Sequence, residues 1–301
     1  MVPSIGEGFS AAWRKMKEML FRPFNWSTWL VLSLGFWLAQ LGEGGASLSI
    51  PFNPGDGGDV AGRLTTGVQS AADAIGTTVA MFLLILLSVV FLFSLVIGLI
   101  LLWVRSRARF VTLDMMLRGV EADSFGARWT RFARQGNSYF LTQILLFVFL
   151  LFLGFAFVAF MGFAAAMSLG EDRGAFSAGL LIGAGIVFGF FGILAWIYLR
   201  LYQDYGAVLM YRSGCSGSEA IQALNRALFS KPGVFVRYLL GLFVIVMLVS
   251  LAVGVFSCLT CCMGAMLLAI PFVGTIVLLP TFVFRWQFML EFFDNEEMLG
   301  R

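Results

Sequence analysis

The sequence predicts an all-α polytopic membrane bundle of about six transmembrane helices in three helical hairpins, each hairpin preceded by a cytoplasmic amphipathic interfacial helix. Three observations lead there. The 301 residues are 60% hydrophobic and only 12% charged, with a mean hydropathy of +0.91; a soluble domain is nearer half apolar and about a quarter charged. Charge is absent from residues 74–104, 135–170 and 238–284, and arginines gather between these runs. No stretch has the composition of a soluble domain, so residues 1–301 read as one integral membrane domain.

Taken in order, Ser4-Ile-Gly-Glu7 has the spacing of a capping box. Phe9, Ala12, Trp13, Met16 and Leu20 follow on one face, with Arg14, Lys15, Lys17 and Glu18 largely opposite, the pattern of a helix lying in the membrane interface. Pro23 ends it. Trp26 and Trp29 mark headgroup level and open a first span over 26–41. A signal peptide is disfavoured here by the long charged lead and the missing cleavage site. Residues 42–77, rich in Gly, Ser and Asp, read as an exposed loop.

Span two covers 78–103 and span three 139–167. A turn at Gly170-Glu-Asp-Arg173-Gly174 leads into span four over 177–199. That span carries Gly179, Gly183, Gly185 and Gly189 at small-xxx-small spacing, which predicts close helix packing, within the bundle in preference to a dimer. The charge-free run 238–284 is too long for one helix and divides into spans five and six near 258–264. Six spans leave only Arg63 and Arg173 of the twenty Lys and Arg on the far side, so both termini are expected in the cytoplasm.

Sliding the chain on itself suggests a threefold parallel repeat, with units of about 4–110, 120–205 and 216–290. At an offset of 116, Phe9, Trp13 and Lys15 fall on Phe125, Trp129 and Arg131. At an offset of 95, Arg105, Phe110, Gly119 and Arg131 fall on Arg200, Tyr205, Gly214 and Arg226. Ser216-Gly-Ser-Glu219 begins a third interfacial helix with another capping box. Each unit is an interfacial helix, a hairpin, and an arginine where the chain leaves the membrane: Arg105, Arg200 and Arg285.

The pattern from Tyr198-Leu-Arg200 through Glu219-Ala-Ile-Gln-Ala-Leu-Asn-Arg226 to Tyr238 resembles bacterial six-helix membrane proteins similar to the membrane domain found beside some glycerophosphoryl diester phosphodiesterases. The resemblance implies a fold and a bacterial inner-membrane home. It implies no hydrolase activity, because the catalytic barrel of those enzymes is missing from the sequence.

The chain has no histidine, which excludes Ser-His and Cys-His catalysis and His-ligated metals. Cys258-Leu-Thr-Cys261-Cys262 holds a CxxC inside an apolar run without a second ligand pair, so packing is its plain role. No catalytic, cofactor or metal residue is assigned. The exit arginines either snorkel to phosphates or form a ring that binds one anionic headgroup. Arg128 and Arg134 read as part of the general basic face. Asp204 reads as the i,i+4 partner of Arg200, with a proton- or ion-coupling role as the sharper alternative. Trp13, Trp26, Trp29 and Trp129 read as interfacial anchors.

The expected function is non-enzymatic: a basic cytoplasmic belt engaging anionic membrane lipid or a protein partner, with no role for nucleic acid. A transporter or channel for a small or lipid-like solute is the runner-up. A lipid-modifying enzyme ranks third, weakened by the missing histidine and the lack of clustered carboxylates.

Overall fold

The computed structural model describes residues 4–22, 24–41, 76–167, 174–260, 264, 266, 268, 270 and 272–293. Pro23, Pro271, Cys261, Cys262 and nearly all of the expected loops at 42–77 and 170–174 lie outside the described residues. The elements within them are helical. In chain order they are α1 (Ile5–Phe21), α2 (Trp26–Ala39), α3 (Gly76–Arg118), a 3-10 turn (Val120–Ala122), α4 (Phe125–Arg131) and α5 (Ala133–Met167). The chain continues through α6 (Gly174–Leu201), a π turn (Tyr202–Gly206), α7 (Ala207–Ser213), α8 (Gly217–Ser230), α9 (Pro232–Leu259), α10 (Val273–Val277) and α11 (Leu279–Phe293).

Among the described residues, four helical stretches are long and apolar enough to cross a membrane: Met81–Arg118, Ala133–Phe163, Gly183–Ser213 and Pro232–Leu259. Their apolar side chains point outward, from Met81 (67% exposed) through Phe152 (73%) to Leu251 (65%). Water would not tolerate such a surface, whereas lipid is its natural solvent. Among the described residues, neither of the remaining two expected spans forms a single helix of sufficient length. With 14 residues, α2 extends only about 21 Å, against a hydrocarbon core of about 30 Å. The last run breaks into α10 and α11, and α11 carries Arg285, Gln287 and Glu291.

The packed core lies at one end of these helices. At about 1.5 Å per residue the 43-residue α3 is roughly 64 Å long, twice the hydrocarbon thickness. Its apolar half therefore accounts for the membrane, and Arg105–Arg118 continues beyond it. The chain past Arg200 does the same through the π turn and α7, and α11 does so past Arg285. Arg105, Arg200 and Arg285 therefore do not end helices. They open three buried segments, whose inward residues include Phe110, Leu113, Tyr202, Val208, Phe288 and Phe292.

Short helices cover this core. Ser4 and Glu7 close the predicted capping box on α1, with Ser4 N–H donating to Glu7 Oε2 at 2.8 Å. Gly8, Ala12, Met16 and Leu20 then bury one face of α1, while Arg14, Lys15 and Lys17 stay exposed. The same box recurs at Ser216 and Glu219 on α8, which buries Gly217, Ala220 and Leu224. Ser124 caps α4 through the Ala127 N–H. The apolar faces expected to rest in lipid thus rest on protein. At Gly217 the approach is so close that a Cβ would fall on Thr142 Oγ1, and the Gly217 N–H donates to Ser138 Oγ at 2.8 Å.

Candidate functional site at the arginine-bearing end

Two buried carboxylates tie the core together. Asp204 sits on the π turn, whose extra residue redirects the helix face inward, a feature frequent at functional sites. Its Oδ1 accepts from Arg109 Nη2 at 2.8 Å. Its Oδ2 accepts from the Tyr238 hydroxyl at 2.7 Å and lies 3.2 Å from Arg200 Nε. The Arg109 guanidinium also lies over the Trp286 ring, 5.4 Å from its centroid. The site therefore gathers α3, the end of α6, the π turn, α9 and α11.

Asp114, fully buried on α3, holds the second knot. The Tyr211 hydroxyl donates to its Oδ1 at 2.8 Å, and Arg118 and Arg128 each place Nε 3.3 Å from one of its oxygens. Arg128 also donates through Nη2 to the Gly119 carbonyl at 2.6 Å. Gly119 has φ of 88°, which explains glycine there, and Arg128 locks the resulting turn between α3 and α4. Arg128 is 0% exposed, so it is a core residue and not part of the basic face. Chemically, both knots are clasps. Each Asp204 oxygen is already engaged by donors, which satisfies a buried charge and leaves it ill-suited to nucleophilic work.

The exit arginines have unequal surroundings. Arg105 is 7% exposed and Arg200 is held by Asp204, while Arg285 is half-buried. The tryptophans lie in aromatic clusters at the same end. Trp13 meets Phe284 edge-on, and Trp129 meets Trp103 edge-on with Arg107 stacked 4.2 Å from the Trp103 centroid. Trp26 is 60% exposed beside Phe24 and Trp29, and Trp29 donates to the Leu20 carbonyl at 2.9 Å.

Three of the four α6 glycines expected to pack closely meet no described neighbour. A Cβ at Gly183, Gly185 or Gly189 would meet no described atom of another element within 4 Å, and Gly179 lies where side-chain surroundings are outside the described residues. The α5–α6 contact is aromatic instead, with Phe157 and Phe188 centroids 4.5 Å apart. Small residues bring helices close only where a partner helix runs. Close approaches to other parts of the chain occur instead at Gly8, Gly35, Gly136, Gly217, Gly241 and Gly274, among others. Cys258 is exposed and, like Cys215, forms no disulfide.

A family model matches residues 5–292. The chain belongs to the family of unknown function DUF7544. The DUF7544 match spans the elements from α1 to all but the last residue of α11, so both clasps and the covering helices fall inside it. No curated protein and no solved structure matches the chain.

Sequence reasoning missed Arg109, Asp114, Tyr211 and Tyr238. A signal was available: Asp114 and Asp204 are carboxylates in apolar helical surroundings, where an unpaired charge is too costly to keep.

Proposed function

We propose that this is a non-enzymatic integral membrane protein of the inner-membrane type. Its basic end faces the cytoplasm and engages anionic lipid. The observation that carries this reading is the sidedness of the covering helices. α1 and α8 bury their apolar faces in protein and turn Arg14, Lys15, Lys17 and Arg226 outward, with Arg131 and Arg134 exposed beside them. Each such cation near an anionic leaflet contributes about 1 kcal/mol before screening. The belt, more than a ring of exit arginines, supports lipid engagement, because Arg200 is mostly buried against Asp204, whereas Lys15 and Arg131, though paired with Glu291 and Asp123, stay exposed.

The same packing supports the expected topology. α1 docks on α11 at the arginine-bearing end, through Phe9 against Phe284 and Phe288, whereas α3 begins at the opposite end of its span. We read the chain between them as crossing, and the chain from α9 to α11 likewise. This supports six passages, two of them made by the short α2 and the broken α10 region. Equivalent features also favour the threefold repeat. Gly119 and Gly214, the two described glycines with positive φ, each stand 14 residues past an exit arginine and precede a serine-capped helix. The resemblance to phosphodiesterase-associated membrane domains belongs to this proposal for the fold and carries no hydrolytic role.

The test is lipid retention. Purified in mild detergent from cells of known lipid composition, the protein should carry phosphatidylglycerol or cardiolipin enriched several-fold over phosphatidylethanolamine. Gln at Arg14, Lys15, Lys17 and Arg226 together should lower that enrichment, and so should high salt, which screens exposed charges. Lipid in the same proportions as the whole extract would overturn the reading.

A further inference from the structure

Between the α5–α6 pair and α9 runs a groove of about 1010 Å³. Its walls are apolar, including Leu150 and Leu153 of α5, Phe188 and Phe191 of α6, and Phe235 and Leu239 of α9. Only one end turns polar. There the Tyr198 hydroxyl donates to Asn225 Oδ1 of α8 at 3.0 Å, and both residues line the groove. Two exposed cations adjoin this lining in the chain, Arg226 beside Asn225 and Arg237 beside Val236.

We propose that this groove is a binding site for an acyl chain of an anionic glycerophospholipid, with the phosphate at the Arg226 and Arg237 end. The dimensions fit one leaflet. Along α6 the lining runs from Val187 to Leu201, about 21 Å at roughly 1.5 Å per residue. Half of an approximately 30 Å hydrocarbon core plus one headgroup layer is about 20–22 Å. A helix from a second copy would seek contact along the full hydrocarbon depth, which the described lining does not offer. Polarity fits as well: a lipid is apolar along its chain and charged at one end, and the groove shows that order. The walls that face it, such as Val187 (52% exposed) and Val236 (55%), are left uncovered by the rest of the protein.

The inference deepens the lipid reading and rests on the arginine-bearing end being a membrane surface. Full-length protein in nanodiscs is irradiated with a mid-chain diazirine phosphatidylglycerol, or with the phosphatidylcholine of the same chain, and cross-linked peptides are mapped. Labelling of 187–201 and 232–239 should exceed that of residues 85–100 of α3 several-fold, and phosphatidylglycerol should exceed phosphatidylcholine. Ala195→Trp, which places an indole in the groove, should lower groove labelling several-fold and leave α3 labelling unchanged. The map of the unmodified protein stands even where the variant fails to fold.

Even labelling around all spans, with phosphatidylglycerol still enriched on purification, would overturn the groove and leave the basic belt. Groove labelling equal for both lipids would overturn the anionic headgroup preference. A groove shielded from lipid by protein–protein cross-links would replace the lipid with a second copy and overturn the proposal.

Discussion

Arg109 and Asp204 stand 95 residues apart, each four residues past an exit arginine, and they meet in a buried ion pair at 2.8 Å. The matching position after Arg285 is Met289, also buried. Under the threefold reading, equivalent positions of three units face one another around the axis. Three identical charges there would repel at short range in a poorly screened interior. An arginine, an aspartate and a methionine do not.

This arrangement predicts an asymmetry between mutants. Asp204→Asn leaves Arg109 and Arg200 beside a neutral amide, whereas Arg109→Met leaves Asp204 with Arg200 and the Tyr238 hydroxyl. Removing one partner of a buried pair costs about 3–5 kcal/mol, and replacing both by apolar groups costs far less. Thermal unfolding in detergent should therefore show the largest loss for Asp204→Asn and a smaller one for Arg109→Met. Arg109→Met with Asp204→Met should recover part of the Asp204→Met loss. Equal effects of the two single changes would contradict the clasp.

The membrane class and the capping boxes at Ser4 and Ser216 were legible in the sequence, because each depends on local spacing or composition. The clasp was not, although its two residues stand at the offset of 95 that suggested a repeat. Matching identical residues passes over Arg109 and Asp204 because their pairing requires them to differ. The exit arginines misled for a related reason. Charge marks where lipid ends but not where a helix ends, and α3 continues 13 residues past Arg105 as a soluble-type core helix. Gly183, Gly185 and Gly189 meet no described neighbour, because spacing shows that close approach is permitted, while the presence of a neighbour is a tertiary fact.

Arg128 and Arg131 provide a contrast within a single short helix. Arg128 is fully buried against Asp114 and the Gly119 carbonyl, while Arg131 is 43% exposed in its pair with Asp123. Lysine keeps the charge at either position but loses the planar fork. Arg128→Lys should cost about 2–3 kcal/mol, the range of a charge-assisted bond lost in a buried site. Arg131→Lys should stay within about 1 kcal/mol, as exposed pairs do. Similar losses on chemical denaturation would place Arg128 on the surface after all.

Acid should loosen the covering helices. The Glu7 carboxyl is held below its usual 4.5, first by the Ser4 backbone N–H and then by the Ser4 hydroxyl. Glu219 is held down by Ser216 in the same order, with a further contribution from Arg134. A carboxyl depressed by folding stabilises above its unfolded pKa, and that stability is lost as pH falls through the lower folded value. Hydrogen exchange of the first turns of α1 and α8 should therefore accelerate as pH falls below about 4.5, after correction for intrinsic rates. Glu7→Gln and Glu219→Gln should flatten that response, each in its own helix. Unchanged acid sensitivity in both variants would rule out the boxes as its source.

The remaining prediction concerns α2. Its 14 residues reach about 21 Å, too short alone for a hydrocarbon core of about 30 Å. Yet α1 packs at the arginine-bearing end and α3 starts at the other. If α2 and the chain after it complete the crossing, residues before and after them lie on opposite sides. With the four native cysteines replaced by serine, single cysteines at Asp123 and Ser218 should react with an impermeant maleimide only after the cytoplasmic side is opened. Cysteines at Asp59 and Asp172 should react in intact spheroplasts. The positive-inside bias points the same way, since eighteen of the twenty Lys and Arg then fall in the cytoplasm or at its boundary. If Asp59→Cys instead labels together with Ser218→Cys while Asp172→Cys stays opposite, α2 turns back within the leaflet. In that case residues after it would have to cross before α3 begins, and the first hairpin would differ in kind from the other two.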